Sequence, residues 1–556
     1  MNTTATTTAH PKGLWVLFST EMWERFNFYG MRALLSLFLV NALAMKESDS
    51  SIIYGGFLGL CYLTPLFGGY IADNYLGNRT CIMLGGLLMA FGQFMLFWSA
   101  SVFQGDIGFA TNITWVALGF LILGNGFFKP NISSMVGSLY PEEKKNLLDS
   151  AFTIFYMGIN IGALLGQFIC PLVGDVKVGD VRDVTAFKWG YLAAGIAMVL
   201  GVLIFYFLKN KYIVSPSGKA LGGKPIKNSV DDSGEADIIA EFGTKAKIIA
   251  AGSFVVLISL FHYVVGQNWI YSLIYAAGIT LAAFILTDKS LTKVEKDRIL
   301  VIYIVSFFVI FFWAAFEQAG SSLTFIADNQ TDRNFLGWNM PPSMVQIFNG
   351  IFVVAFAVPF SAMWLWLQKR GKEPISPVKQ AIGLALIAIG YFVIANKVGD
   401  LGITGKIGIV WLIVLYLLHT WGELCLSPIG LSLVSKLAPK RFASLLFGVW
   451  FISNACAYAF AGTLGALLPP TGDKYIEAQK MGIDLDKVLT GVVQLTPEQT
   501  TAWNTAKLPT SFPNFAGFTI TNLYEFFMVF VILCGVASLL LFSLTPILKR
   551  MMHGVK

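Results

Sequence analysis

The chain has 556 residues, of which 56% are hydrophobic and only 13% charged, and a formal net charge of +7. A soluble domain averages about 25% charged residues, so half that fraction over so long a chain excludes an ordinary globular protein and describes a polytopic membrane protein. The positive charge calls for no nucleic-acid partner, because cytoplasmic loops of membrane proteins concentrate Lys and Arg; six cysteines without a CxxC pair suggest neither a disulfide framework nor a zinc site.

The opening MNTTATTTAHPKG, residues 1–13, is read as a cytoplasmic N-terminus. It lacks the charged-then-apolar pattern of a signal peptide, so the first apolar helix is expected to stay as a span. Apolar stretches long enough to cross a bilayer follow at about 14–42, 51–72, 79–101, 113–136, 147–171 and 188–208, giving an N-terminal six-helix bundle over 14–208. A Lys/Gly/Ser-rich tract from Lys209 to about Lys247 reads as a cytoplasmic linker. Two further apolar stretches, about 248–266 and 268–287, precede a charged segment, Asp288 to Arg298, so that 209–298 is a linker holding two extra helices. Six more spans, at about 299–327, 343–367, 378–397, 405–436, 441–468 and 519–547, form a C-terminal bundle over 299–547, with a cytoplasmic tail at 548–556. Between the last two, 468–519 reads as a partly ordered outer surface loop with no visible chemistry. With the N-terminus inside, the inner loops hold about fourteen Lys or Arg and the short outer loops about seven, which supports cytoplasmic termini at both ends. Two six-helix bundles joined by a linker are the pattern of a transporter with a site near the midplane.

The first span, FSTEMWERFNFYGMRALLSLFLV from Phe18 to Val40, holds Glu21, Glu24, Arg25 and Arg32. Ionisable groups inside a span cost roughly 2.5–3.5 kcal/mol each on insertion scales. At about 100° per residue, Glu21, Arg25, Tyr29 and Arg32 share one face with Glu24 at its edge. The opposite face (Trp23, Phe26, Met31, Leu34, Leu37, Phe38) can meet lipid or other helices. A ladder from Glu21 to Arg25 that only locks packing is one reading. A functional site is favoured, because Arg32 has no acid one turn away in its own helix and must find one elsewhere.

Other intramembrane polar groups follow. Lys129 in GNGFFKPNISS either snorkels from a helix end or faces a cavity, since Pro130 should break the local backbone and Asn131, Ser133 and Ser134 continue a polar face. Glu317 in FFWAAFEQAGSS and Glu423 in LHTWGELCLSPIG put acids in the C-terminal half, whereas Arg25, Arg32 and Lys129 put bases in the N-terminal half. Acids facing bases suit a zwitterion, and they also allow salt bridges between bundles that form and break. Asn160, Tyr62, Gln346 and Asn349 can hydrogen-bond a peptide backbone. Trp313 and Trp450 are either pocket walls or packing residues. His419, four residues before Glu423, has metal-like spacing but lacks a third ligand, so no metal is expected.

The loop GGYIADNYLGNR, Gly68 to Arg79, resembles the signature loop of the major facilitator superfamily. Asp73 can sit at a helix end, Gly77 allows a tight turn and Arg79 can cap or pair, although a generic Asp–Gly–Arg turn would look the same. The run Glu21-Met-Trp-Glu24-Arg25-Phe26-Asn-Phe-Tyr29-Gly30 resembles the ExxERFxYY motif of proton-dependent oligopeptide transporters. GFFKPN, FYMGINIG, FWAAFEQ and GELCLSPIGLS are similar to further signatures of that family, so the resemblance covers both bundles. It implies the superfamily's fold, about 14 transmembrane helices in all, with two extra helices as in bacterial members. It implies that Glu21, Glu24, Arg25 and Glu317 serve proton coupling. Arg32 with Glu317, and Lys129 with Glu423, would be outer and inner gating salt bridges. Arg25, Tyr29, Arg32 and Lys129 would receive a peptide's carboxylate, Asn160, Asn349 and Glu423 its amine, and Tyr62, Trp313 and Trp450 would line the pocket. Phe28 departs from the motif's first tyrosine, and Gly55 stands where animal relatives carry a histidine, so coupling here should rest on carboxylates.

The expectation is therefore a proton-coupled symporter for di- and tripeptides in a bacterial inner membrane, driven by the proton gradient without a cofactor. Its partners are peptides, protons and the bilayer, with no nucleic acid and no obligate protein partner. A carrier of the same fold for another small solute, such as nitrate, is the alternative. An enzyme would need a nucleophile–base pair or a metal cluster, and a receptor a sizeable soluble domain; the sequence offers neither.

Overall fold

The computed structural model describes residues 10–140, 147–178, 181–215, 218–224, 242–399, 401–402 and 405–555, without the side chains of Asp149, Val178, Pro428 and Lys440. Thirteen segments of these are long and apolar enough to cross a membrane. Helix α1 (Lys12–Asn41), 30 residues long, stands outside that set because of its charges, and with it the expected number of about fourteen is reached. The helices form two compact units, residues 1–34 with 63–234 and residues 35–62 with 235–556. Helix α1 is thus shared between the units, and α2 (Glu47–Leu63) belongs almost entirely to the second.

The first unit holds α1 up to Leu34, α3 (Pro65–Ile71), α4 (Asn78–Val102), α5 (Ile107–Ser138), α6 (Leu148–Gly174) and α7 (Phe187–Tyr212). Its packing is set by small residues, as expected where lipid removes the hydrophobic drive between helices. Gly158, Gly162 and Gly166 form a four-residue ladder on α6. A Cβ there would meet the Phe18 ring at 2.9 Å, the Met22 carbonyl and the Phe26 carbonyl in turn, so α1 and α6 touch backbone to backbone. Gly85 of α4 and Gly124 of α5 meet in the same way, each within 2.7 Å of the other's carbonyl if given a Cβ. The apolar face of α1 is taken by helices rather than lipid: Phe26, Met31, Leu34, Leu37 and Phe38 are all buried.

The break expected at Pro130 does not occur, and α5 runs through it. Proline removes the hydrogen bond to the carbonyl four residues back, that of Gly126. Gly68 of α3 lies against this carbonyl, where any side chain would clash. The loop from Gly68 to Arg79 then closes with a π-turn, Ala72–Leu76, and with Gly77 at φ +77°. Arg79 donates to Leu221 O at 2.5 Å, Asn210 Oδ1 at 2.9 Å and Lys209 O at 3.1 Å, and also to Ile213 O. It therefore caps the C-terminus of α7, where carbonyls lack helical partners. Because α7 continues to Tyr212, the linker expected from Lys209 begins later. Residues 1–9, the loop with Lys144 and Lys145, and 225–241 of the linker lie outside the described residues.

The second unit adds α8 (Thr244–Ser259), α9 (Trp269–Leu286), α10 (Lys293–Phe316), α11 (Ser322–Asn329), α12 (Ile347–Lys369), α13 (Ser376–Val398), α14 (Ile409–Leu437), α15 (Ala443–Gly465), α16 (Gly472–Lys480), α17 (Leu485–Leu489), α18 (Pro497–Thr505) and α19 (Leu523–Met551). The charged segment before α10 is partly helical: Thr292 and Glu295 form a capping box, and Arg441 pairs with Glu295 at 2.8 Å. Helix α2 packs on α15, where Gly55 sits so close to Tyr458 and Gly462 that a Cβ would lie 2.6–2.7 Å from their backbones. Tyr271 of α9 donates to Ile52 O of α2 at 2.9 Å. The span expected at 299–327 is not one helix, since α10 passes into a 3-10 turn, Glu317–Gly320, before α11.

The 468–519 segment is not the partly ordered loop expected. It folds as three short helices, α16 to α18, around a core of Ala478, Leu485, Val488, Leu489, Trp503 and Leu508.

Candidate functional site

In the first unit, Arg25 stands between two carboxylates of its own helix. Its Nε lies 2.5 Å from Glu24 Oε2 and 3.1 Å from Glu21 Oε1, and the three side chains are at most 4% exposed. Lys129 of α5 is near enough for its charge to act on Glu21. Glu21 Oε2, Glu24 Oε1 and Arg25 Nη2 have no hydrogen-bond partner among the described residues. A sealed group of two acids and one guanidinium with spare donors and acceptors is suited to taking up a proton or a charged ligand. The ladder from Glu21 to Arg25 forms, and it leaves bonding capacity unused.

Two aromatic rings extend the cluster along α1. The Arg25 guanidinium lies 5.4 Å from the Phe28 ring centre, and that of Arg32 lies 5.0 Å from the Tyr29 ring. Phe28, where the motif has its first tyrosine, gives up a hydroxyl but keeps the aromatic face that a guanidinium uses. Asn160, on α6, turns its amide back onto its own helix, donating to Tyr156 O at 2.8 Å.

In the second unit, Asn349 of α12 donates to Glu423 Oε2 at 2.9 Å and to Thr420 Oγ1 at 3.0 Å, both on α14. A bond of this kind fixes where the carboxylate points. Glu317 starts the 3-10 turn after α10, is buried, and accepts from Tyr54 Oη of α2 at 3.4 Å. Tyr62 and Trp313 are brought together by a residue the sequence did not single out: the Tyr458 ring is 4.6 Å from Tyr62 and 6.5 Å from Trp313. Trp450 is buried against Gly430, where its indole fills the space a side chain would need. His419 sits among rings, 4.7 Å from Tyr391 and 6.3 Å from Phe316.

Sequence reasoning missed Thr420, Tyr54 and Tyr458. Thr420 had a local signal, being one turn before Glu423, and Tyr54 lies two turns before Tyr62 on the same helix. Tyr458 had none, because its role comes only from packing. Of the residues assigned to the site, Arg25, Arg32 and Lys129 belong to the first unit, and Glu317 and Glu423 to the second.

The family model described as the POT family matches residues 79–474. The chain is 33% identical to "Peptide transporter YePEPT" of Yersinia enterocolitica, over 82% of its own length and 88% of that relative's. It is 28% identical to "Dipeptide and tripeptide permease B" of Salmonella typhimurium, over 83% and 88% of the two chains. A solved POT family transporter in complex with a thioalcohol-conjugated peptide is similar with a TM-score of 0.72 at 27% identity, over 98% of each chain. A matching family model over most of its length, relatives on the same scale and the ExxER cluster of α1 come together in one conclusion: this chain belongs to the POT family, the proton-dependent oligopeptide transporters of the major facilitator superfamily.

Proposed function

We propose that this protein imports di- and tripeptides together with protons across a bacterial inner membrane by alternating access, with both termini in the cytoplasm. The observation that carries the proposal is the buried Glu21–Arg25–Glu24 cluster, in which one guanidinium is shared by two carboxylates. Protonating Glu317 or an acid of that cluster frees Arg32 or Arg25 for a peptide's carboxylate. The peptide's ammonium then engages Glu423, which Asn349 already orients, and Lys129 is released from its acid. In this cycle Arg32 with Glu317 is the outer gate and Lys129 with Glu423 the inner one, and each pair draws one member from each unit. Tyr29, Tyr62, Asn160, Trp313 and Trp450 line the peptide's path.

Coupling follows because removing one partner of a buried pair leaves an uncompensated charge, so proton and peptide stabilise the same closed state. The gradient supplies the energy, and the cycle uses no cofactor or metal. The test is uptake of labelled dialanine into proteoliposomes under an inward proton gradient, competed with unlabelled di-, tri- and tetrapeptides. Uptake that rises with the gradient and is blocked by di- and tripeptides alone is the expected result. Folded protein that takes up no peptide under any gradient would overturn the assignment in favour of another solute.

A further inference from the structure

We propose that the folded insertion between α15 and α19 is a strap that grips the turn joining α1 to α2 and must release it for the outer side to open. The inference rests on the transport reading above and goes beyond it.

The strap has its own hydrophobic core, so it acts as a body rather than as a floppy loop. Two lysines carry its grip. Lys507 adopts φ +56°, in the left-handed region that favours glycine. There it closes α18, its N–H donating to Asn504 O at 3.0 Å and that of Leu508 to Trp503 O at 3.1 Å. A side chain at such a position has to be explained by what it reaches. Its Nζ donates at 2.9 Å to Val40 O, in the last turn of α1, where carbonyls lack helical partners and the helix dipole favours a cation. Lys474 of α16 lies 3.6 Å from Glu47, in the first turn of α2, where the dipole favours the acid. Asn329 of α11 also donates to Glu47, at 3.5 Å. The turn between α1 and α2 is therefore held at both of its ends.

The two grips differ in strength. Burial works against the charge of Lys474, but Glu47 and Asp473 outweigh it and hold the ammonium above the ordinary lysine value. Lys507 is pushed down, first by burial and then by the like charge of Lys474, with Glu47 opposing. Lys474 faces two carboxylates and Lys507 a neutral carbonyl, so Lys507 is the weaker tie and the one to let go first. A cavity of about 570 Å³ between strap and turn, lined by Lys46, Glu47, Lys474 and Lys507 among others, gives the parts room to move. The gripped end matters because α1 carries the Glu21–Arg25–Glu24 cluster, and residues 35–41 of it belong to the second unit while the rest belongs to the first. Strap, turn and α2 all belong to the second unit, so the strap fixes the part of α1 that this unit holds.

Two experiments on the full chain in proteoliposomes test the strap. In the first, Glu47→Cys and Lys474→Cys are joined by a short, reducible bis-maleimide; the six native cysteines are all buried and do not compete. Cross-linking should lower gradient-driven dialanine uptake at least tenfold, and reduction should restore it. In the second, Met45→Cys, in the gripped turn, is labelled from outside with a membrane-impermeant maleimide. Adding Lys507→Gly, which keeps the left-handed backbone but removes the amine, should raise the labelling rate several-fold without lowering the unfolding temperature. Full uptake with the cross-link in place, or a labelling rate that Lys507→Gly leaves unchanged, overturns the strap. The labelling readout needs no peptide, so it is decided even if the solute assignment fails.

Discussion

Arg25 and its two acids are not equivalent targets. Removing Arg25 strands two carboxylates that see almost no solvent, whereas neutralising one acid leaves an ion pair behind. Breaking a buried pair by deleting one partner costs about 3–5 kcal/mol. Arg25→Ala should therefore abolish uptake and also lower the unfolding temperature in detergent, while Glu24→Gln should lose uptake with a smaller loss of stability. Equal destabilisation by the two variants would argue against one guanidinium serving both acids. Asn349→Ala poses a gentler question. A hydrogen bond to a charged group is worth about 1.5–3 kcal/mol, so losing the bond to Glu423 should weaken apparent dialanine affinity roughly tenfold or more. Competition binding at fixed pH would measure it, and an unchanged affinity would remove Asn349 from the site. At this scale, legibility in the sequence follows distance along the chain. The Glu21, Glu24 and Arg25 grouping is written in i,i+1 and i,i+4 spacing, whereas Asn349 and Glu423 lie 74 residues apart and meet only in the fold. Asn160 has a partner that spacing alone supplies. A short amide on a helix always has its own i−4 carbonyl available, and here it takes it.

Helix positions were readable because apolar runs must match the bilayer, so each expected span overlaps a helical segment, with ends up to about six residues away. Packing partners were less visible, yet the GxxxGxxxG step in α6 was available in the sequence and accounts for the crossing with α1. Gly162→Val should be poorly tolerated, because its Cβ would strike the Met22 carbonyl, and overpacking typically costs about 1–3 kcal/mol. Gly119→Ala is the control: no atom lies within 4 Å of its Cβ position, and helix propensity favours alanine by about 1 kcal/mol. Thermal unfolding of the two in detergent should separate them in opposite directions from the parent. The outer insertion was misread because its helices have only 9, 5 and 9 residues, too short for periodicity to speak, and its core exists only once they fold together. Trp503 is fully buried in that core. Trp503→Ala should cost about 3–5 kcal/mol locally and open 468–519 to proteolysis from outside, while the membrane helices remain protected.

For the molecule as a whole, composition and the six–two–six pattern sufficed for the architecture, but not for how the chain is shared out. Residues 35–62 lie early in the sequence yet pack in the second unit, through Gly55, Gly59 and Tyr54, which no hydropathy profile reports. Coupling is the property that only the whole molecule can have. A gradient of one pH unit is worth about 1.4 kcal/mol per proton, enough for about tenfold accumulation of a peptide if one proton moves with it. Glu317, proposed above as an acceptor of that proton, is buried where α10 gives way to a turn and has a tyrosine hydroxyl beside it. Glu317→Gln fixes the side chain in a neutral state, so the step that reads the gradient is lost while the path for peptide is kept. The variant should still exchange internal for external dialanine in counterflow, at a rate insensitive to pH, but should accumulate none above equilibrium under an inward gradient. If it accumulates dialanine as the parent does, the proton is carried elsewhere, and the Glu21–Arg25–Glu24 cluster becomes the site to neutralise next.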